Sequence, residues 1–265
     1  MRDKPDDLVP DANPSLVVVR ALARGVALLQ IFSPAEPRLS LAVLSRRSGL
    51  DKGTTRRLLH TLVLTGLVES DSRTGEYYLS ANVIELASAV ETGREFRTVS
   101  APWLADVAEK SGASAFLWIH HSGTALCIDR VCAPVTAVSG NWPNVGTRLS
   151  MNLGAAPRVL LSWLDEEERA KALNGQLEIR TPQSETSPAR LRAEVENIRM
   201  TGWALAIDDF VVGLSAVGVP VFTAKGQLAG AISITGLTNQ IMADGRPLHI
   251  DLLLEAAHNI GKGLF

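Results

Sequence analysis

Residues 40–79 restrict the chain more tightly than any other stretch. They read SLAVLSRRSGLDKGTTRRLLHTLVLTGLVESDSRTGEYYL. Ser40 stands before a short helix as a residue whose side-chain oxygen accepts from an unpaired helix amide, and Gly49 is the residue that tolerates the left-handed backbone where helices end. Asp51 caps the next helix, Leu58, Leu59, Leu62 and Val63 form its buried side, and Gly66 stops it. The following run predicts a hairpin, with strands over 67–70 and 76–79 and a turn over 72–75. Upstream, Ala21, Val26, Leu28, Leu29 and Phe32 recur at helical spacing over 17–32, and Pro34 and Pro37 end that helix. Three helices and a hairpin, with a glycine between helices two and three, form a winged helix-turn-helix pattern over residues 16–80.

That pattern asks for cations at three places: the start of the third helix, the end of the second and the hairpin tip. The third helix lays its first turns in a DNA major groove, where short polar and basic side chains reach base edges and phosphates. Lys52, Gly53, Thr54, Arg56, Arg57 and His60 occupy that helix face. Arg46 and Arg47 end the second helix, and Arg73 sits at the wing tip. The whole chain has a formal charge of -2, which alone argues against a nucleic-acid binder. Divided, it does not: residues 16–80 hold 9 Lys and Arg against 5 Asp and Glu, whereas 81–265 hold 15 against 19. Phosphate binding follows local charge rather than the total.

A chain of 265 residues, 46% hydrophobic, has room for two domains with real cores. The first 15 residues are polar, acidic and proline-containing, and read as a disordered tail without the apolar centre of a signal peptide. No run of about 18 apolar residues suggests a membrane span. The two cysteines, Cys127 and Cys132, cannot build a disulfide framework, and a cytoplasmic location is expected. A helix with Val83, Leu86, Ala87 and Val90 on one face is predicted as a connector over 81–97. Residues 98–265 then carry a helix over 99–110 with Pro102 in its first turn, strands over 113–121, 125–131 and 135–140, and a helix over 157–164. Two charged helices, three strands from Trp203 to Thr235 and a final helix from Pro247 follow. Segregated strands and helices predict a mostly antiparallel α+β domain.

The tract 39–80 resembles the DNA-binding domain of IclR-type bacterial transcriptional regulators. Lys52, Thr54, Arg57, Leu58 and Leu59 match the recognition-helix pattern, while Gly53 replaces the usual Ser and Thr55 an apolar residue. GTRLSMNLGAAPRVLL and DDFVVGLSAVGVPVFTAKGQLAGAISITG are similar to segments of the effector-binding domain of the same family. The resemblance covers nearly all of 16–265. It implies a GAF-like mixed α/β effector domain, a linker helix that helps pair two chains, and a homodimer or homotetramer reading a pseudo-palindromic operator. It also implies an effector site lined by Met151, Asn152, Leu153, Gly154, Ala155, Ala206, Ala216, Ser233 and Thr235, and Trp142 is expected near its mouth.

Two physical arguments bear on that site. The helix start around 152–156 offers unpaired amides and a positive dipole end, which suit a carboxylate. Ser233 and Thr235, two apart on a strand, share a face. Family members that sense small oxo-acids carry Asp, Cys and His where Ala206, Ala216 and Asn152 stand here, so a larger or more apolar effector, such as an aromatic one, is expected. No HExxH, CxxC, GxSxG or phosphate-binding glycine loop is present. Cys127 and Cys132 read as buried fillers, and Asp208 with Asp209 as a turn rather than a carboxylate pair. The reading is a non-enzymatic, effector-controlled DNA-binding regulator such as a repressor, needing no metal or cofactor. A metabolite-converting enzyme with a helical docking domain and a protein-binding helix-turn-helix scaffold remain the alternatives at this point.

Overall fold

A computed structural model describes residues 18–91, 93–133 and 143–264. The tail over 1–15, the strand expected over 135–140 and Trp142 lie outside them. The chain divides into two compact units between Val90 and Glu91.

The first unit contains α1 (Arg20–Leu29), β1 (Leu39–Ser40), α2 (Leu41–Ser48), α3 (Lys52–Leu64), β2 (Val68–Ser70), β3 (Glu76–Leu79) and α4 (Asn82–Ser88). Its caps act as their chemistry dictates. Ser40 Oγ accepts from the Val43 amide at 3.4 Å and Asp51 Oδ1 from the Thr54 amide at 2.9 Å. Gly49 closes α2 at φ 69°. Leu28, Leu39, Leu44, Leu59, Leu62 and Val68 make the core. Thr55, on the inner side of α3, is fully buried and gives its hydroxyl to Asp51 O at 2.9 Å, so a polar residue is accommodated where an apolar one is usual. The wing is an antiparallel sheet of order β1-β3-β2. Its tip is fixed by Asp71, which accepts from the amides of Arg73 and Thr74 at 2.9 and 3.3 Å.

The helix expected over 81–97 is not continuous. It stops at Ser88, and a new helix, α5 (Arg94–Ser111), starts behind Gly93 at φ 75°, a left-handed residue that no α-helix can run through. Pro102 consequently lies well inside α5 instead of in its first turn.

The second unit continues with β4 (Ser114–His121), β5 (Thr124–Val131), β6 (Arg148–Leu149), α6 (Ala155–Trp163), α7 (Glu166–Asn174), α8 (Pro188–Thr201), β7 (Ala204–Ile207), β8 (Leu214–Phe222), β9 (Leu228–Leu237), α9 (Thr238–Ile241), β10 (Met242–Ala243), β11 (Arg246–Pro247) and α10 (Ile250–Lys262). Six strands form an antiparallel sheet of order β6-β5-β4-β9-β8-β7. Strand alternation sorts the side chains. Leu117, Val219, Ile232 and Ile234 pack with α5 and α10 on one face. Phe116, Trp118, Ala216 and Ala231 pack with α6 and α8 on the other. The sheet is thus covered on both sides, as an α+β domain with a GAF-like layering requires.

Gly218 sets how close α6 comes to the sheet. A Cβ built there would lie 3.0 Å from the Ala156 amide nitrogen, so only glycine lets the first turn of α6 lie against β8. The hairpin β10–β11 was not legible as strands, and α10 starts at Ile250 after His249 at φ 63°.

Candidate functional site

In the first unit, Lys52, Gly53, Arg56, Arg57 and His60 are exposed along α3, and Thr54 is half-buried. The Arg57 guanidinium donates to Thr54 Oγ1 at 3.4 Å. Arg46 and Arg73 are also exposed. Among the described residues, none of Arg46, Lys52, Arg56, Arg57 and Arg73 has an ion-pair partner. Arg47 differs. It donates two hydrogen bonds, each 2.7 Å, to the Glu36 carboxylate, and that guanidinium holds the Glu36 carboxyl below the usual carboxylate range. This exposed bidentate pair uses two of the five guanidinium donors on the protein's own loop, so Arg47 is held in place, unlike the cations named above. Arg38, not singled out in the sequence, lies over the Tyr78 ring at 4.3 Å and pairs with Asp71 at 3.3 Å, tying the wing to β1.

In the second unit, a cavity enclosing about 490 Å³ of non-atom space, open water at its mouth included, lies over the α6 end of the sheet. Gly154, Ala155, Ala216, Ser233 and Thr235 of the expected set line it. Met151, Asn152, Leu153 and Ala206 do not; all four are buried behind the wall. For Asn152 the reason is its amide. Oδ1 accepts from Ser150 Oγ at 2.6 Å and from the Glu178 amide at 3.2 Å, while Nδ2 donates to the carbonyls of Glu178 and Glu185, both at 2.9 Å. Nothing of it is left for a ligand. Ala206 and Ala216 pair across β7 and β8, but only Ala216 reaches the lining.

The walls that sequence reasoning missed are Trp118, Leu149 and the residues Asp209, Phe210, Val211 and Leu214 between and around β7 and β8. Asp209 matters most. Its Oδ2 accepts from the Gly154 amide at 2.7 Å and from the Arg158 guanidinium at 2.7 Å, with both side chains under a tenth exposed. Arg158 also donates to Glu194 at 3.0 Å and, through Nε, to the Asn152 carbonyl at 3.0 Å. At the start of α6 the amide of the N-cap residue Gly154 is therefore taken by the protein's own aspartate. Burial raises the Glu194 carboxyl above its ordinary value, with Arg158 opposing. The one sequence signal for this network was an arginine in the otherwise apolar helix AAPRVLLSW.

Cys127 is buried, and burial pushes its thiol up to about 12, which makes it inert. Cys132 is exposed, because β5 ends one residue before it; the expectation that both cysteines are buried fillers is corrected. Among the described residues there is no cluster of His, Cys, Asp or Glu fit for a metal, and no helix is long and apolar enough to cross a membrane.

A winged helix with exposed cations along α3 and at its wing tip, followed by a cavity-bearing α+β unit, is the arrangement of effector-controlled DNA-binding regulators. Residues 21–72 match the IclR helix-turn-helix domain, and residues 88–262 match the family described as bacterial transcriptional regulator IclR C-terminal. The chain belongs to the IclR family of transcriptional regulators, which are DNA-binding proteins with an effector-binding C-terminal domain and not enzymes. It is 28% identical over 229 residues to the glycerol operon regulatory protein of Streptomyces griseus, covering 86% of this chain and 89% of that one. In fold it is similar to an IclR transcriptional regulator from Alicyclobacillus acidocaldarius, with TM-score 0.78 and 23% identity over 92% of this chain and 98% of the other. An IclR homologue from Microbacterium hydrocarbonoxydans, complexed with 4-hydroxybenzoate, gives TM-score 0.75 at 22% identity, with the same coverage.

Proposed function

We propose that this regulator reads a two-fold operator through α3 and the wing, as a pair of chains, and that the cavity beside α6 receives a ring-bearing effector. The observation that carries the DNA part is the set of exposed cations without ion-pair partners among the described residues, Arg46, Lys52, Arg56, Arg57 and Arg73, at the three places a winged helix meets a duplex. Gly53, Thr54 and His60 complete the proposed face. Base preference does not transfer from relatives, because Gly53 offers no side chain to a base edge.

Pairing is supported by apolar residues left exposed among the described residues of the first unit. Val19, Leu22 and Val26 form an exposed stripe on α1, and Ile84, Leu86 and Val90 are exposed on or beside α4, none of whose residues is buried. A second copy of the same chain fits this role, since a two-fold pair brings two readers to two half-sites. The corresponding division is a tail over 1–15, a reader over 16–80, a connector over 81–97 and an effector unit over 98–265, working in the cytoplasm.

Effector control requires that the effector bind the DNA-free and DNA-bound forms with different affinity. The cavity walls, Trp118, Leu149, Phe210, Val211, Leu214 and Ala216, support an apolar, ring-sized ligand, and the 4-hydroxybenzoate complex of the Microbacterium homologue gives a ligand of that size in the same fold. The test is a gel-shift titration on the DNA upstream of the regulator's own gene. Affinity is expected to fall steeply as salt rises, because phosphate contacts release counterions. A salt-insensitive complex would defeat the DNA reading, and Leu22→Arg should yield monomers in sedimentation if α1 pairs the chains.

A further inference from the structure

The cavity carries a charge pattern that bears on its ligand. Among the described residues its only charged lining residue is Asp209, an acid, and no lysine, arginine or histidine lines it. Of the guanidinium groups near it, that of Arg130 donates to the carbonyl of the lining residue Pro143 at 3.0 Å, and two others are held by acids or a ring. Arg158 gives its nitrogens to Asp209, Glu194 and the Asn152 carbonyl. Arg180 lies over the Phe210 ring at 5.4 Å and pairs with Glu178 at 2.6 Å. At the end of α6 the Gly154 amide is bound by Asp209 and Pro157 has no N–H, which leaves the amides of Ala155 and Ala156 as the only donors of that helix start in the lining.

Asp209 is 4% exposed. Both hydrogen bonds it accepts fall on Oδ2, and among the described residues no donor lies on Oδ1. A carboxylate oxygen with no donor among the described residues, in a wall facing a cavity, can accept one from whatever fills the cavity, and a ligand hydroxyl supplies it. The opposite chemistry is penalised: a ligand carboxylate would add a second anion beside Asp209, with no cation among the described lining residues to offset it. The remaining polar walls suit a neutral ligand. Ser233 Oγ accepts from the Trp118 indole at 3.1 Å, which leaves its proton available, and Thr235 presents a second hydroxyl.

We propose that the cavity selects an uncharged ring-bearing phenol or alcohol, whose hydroxyl donates to Asp209 Oδ1, over the matching carboxylate. This rests on the reading of the cavity as the effector site. The test uses the full-length protein at neutral pH and calorimetric titration with two matched pairs: 4-methylphenol against 4-methylbenzoate, and 2-naphthol against 2-naphthoate. Each phenol is expected to bind at least about tenfold tighter than its carboxylate. Ala216→Phe, which fills the cavity, should abolish binding. Asp209→Asn, which removes the charge and adds a donor, should narrow the ratio; a folded Asp209→Asn protein with an unchanged ratio overturns the proposal. If that variant does not melt cooperatively, the wild-type ratio and Ala216→Phe decide. Carboxylates binding as tightly as phenols, and lost in Ala216→Phe, would leave the cavity as the effector site and refute the selection for a donor. Phenol binding that survives Ala216→Phe, or no binding by any of the four probes, would remove the cavity reading and the proposal together.

Discussion

Helices α3 and α6 both begin at an aspartate carboxylate, and the two aspartates come from very different distances. Asp51 immediately precedes α3 and accepts from an amide three residues on. Asp209 reaches the start of α6 from a loop 55 residues later in the sequence. The first sits in water on a surface that stays free for a polyanion. The second is buried, takes up the positive end of its helix, and needs Arg158 to be stable there. The same device, a carboxylate on orphan amides, serves in one place to start a helix and in the other to lock two segments around a cavity.

The largest expected effect is on the buried end. Arg158→Met leaves the Asp209 and Glu194 carboxylates without their cation and should cost about 3–5 kcal/mol in chemical denaturation. Adding Asp209→Asn should recover a substantial part, because the neutral amide removes one buried charge; absence of any recovery would mean that the cation, not the unpaired anions, governs the loss. The exposed helix should respond in the reverse sense. Arg56→Ala with Arg57→Ala should weaken operator binding by about 1–3 kcal/mol for each contact removed and flatten its salt dependence. Stability should stay within about 0.5 kcal/mol of the parent. Unchanged affinity would take both residues out of the contact face.

A smaller effect separates the two regions by pH. Burial raises the Glu194 carboxyl in the folded protein above its ordinary 4.5. Folding therefore takes up a proton between the unfolded and folded values, so this group's stabilisation is complete below the unfolded value and is lost as pH rises through the folded one. Glu194→Gln cannot titrate. Its stability relative to the parent should improve as pH rises from about 4.5 toward neutrality, measured as melting temperature against pH; a constant difference would show that Glu194 does not titrate in this window.

The contrast also explains what could be read before any coordinates. Ser40, Gly49, Asp51 and Gly66 signal helix ends by interactions within a few residues, so the winged helix was legible almost to its boundaries. Strand alternation similarly gave β4, β8 and β9. Partners far apart in sequence were not legible. Glu36 captures Arg47 across 11 residues, and Asp209 reaches Arg158 across 51. Asn152 was read as a ligand group because its neighbourhood resembles a family loop, yet loop carbonyls more than 25 residues away use up its amide. The effector cavity is built from several such distant segments, so its strand hydroxyls were found and its acid was not. Pro102 and Gly93 show the same limit locally: proline suggested a helix start, but the chain placed the break at the glycine.

The smallest effect tests the local cap itself. The Thr54 side chain, then the Thr54 amide, hold the Asp51 carboxyl below its ordinary 3.8. The sign is opposite to that of Glu194: a lowered folded value gives stability that is present above the unfolded value and is lost as pH falls through the folded one. Asp51→Ala should lower the melting temperature of the reader slightly at neutral pH, and the gap should close below about pH 3.8, where the parent's carboxyl is losing its charge. Asp51→Ser keeps an acceptor without a titrating charge, so it should retain most of the stability while losing the pH dependence. If Asp51→Ser instead matched Asp51→Ala at neutral pH, the charge on the helix end rather than the hydrogen bond would be what starts α3, and the likeness between the starts of α3 and α6 would be electrostatic alone.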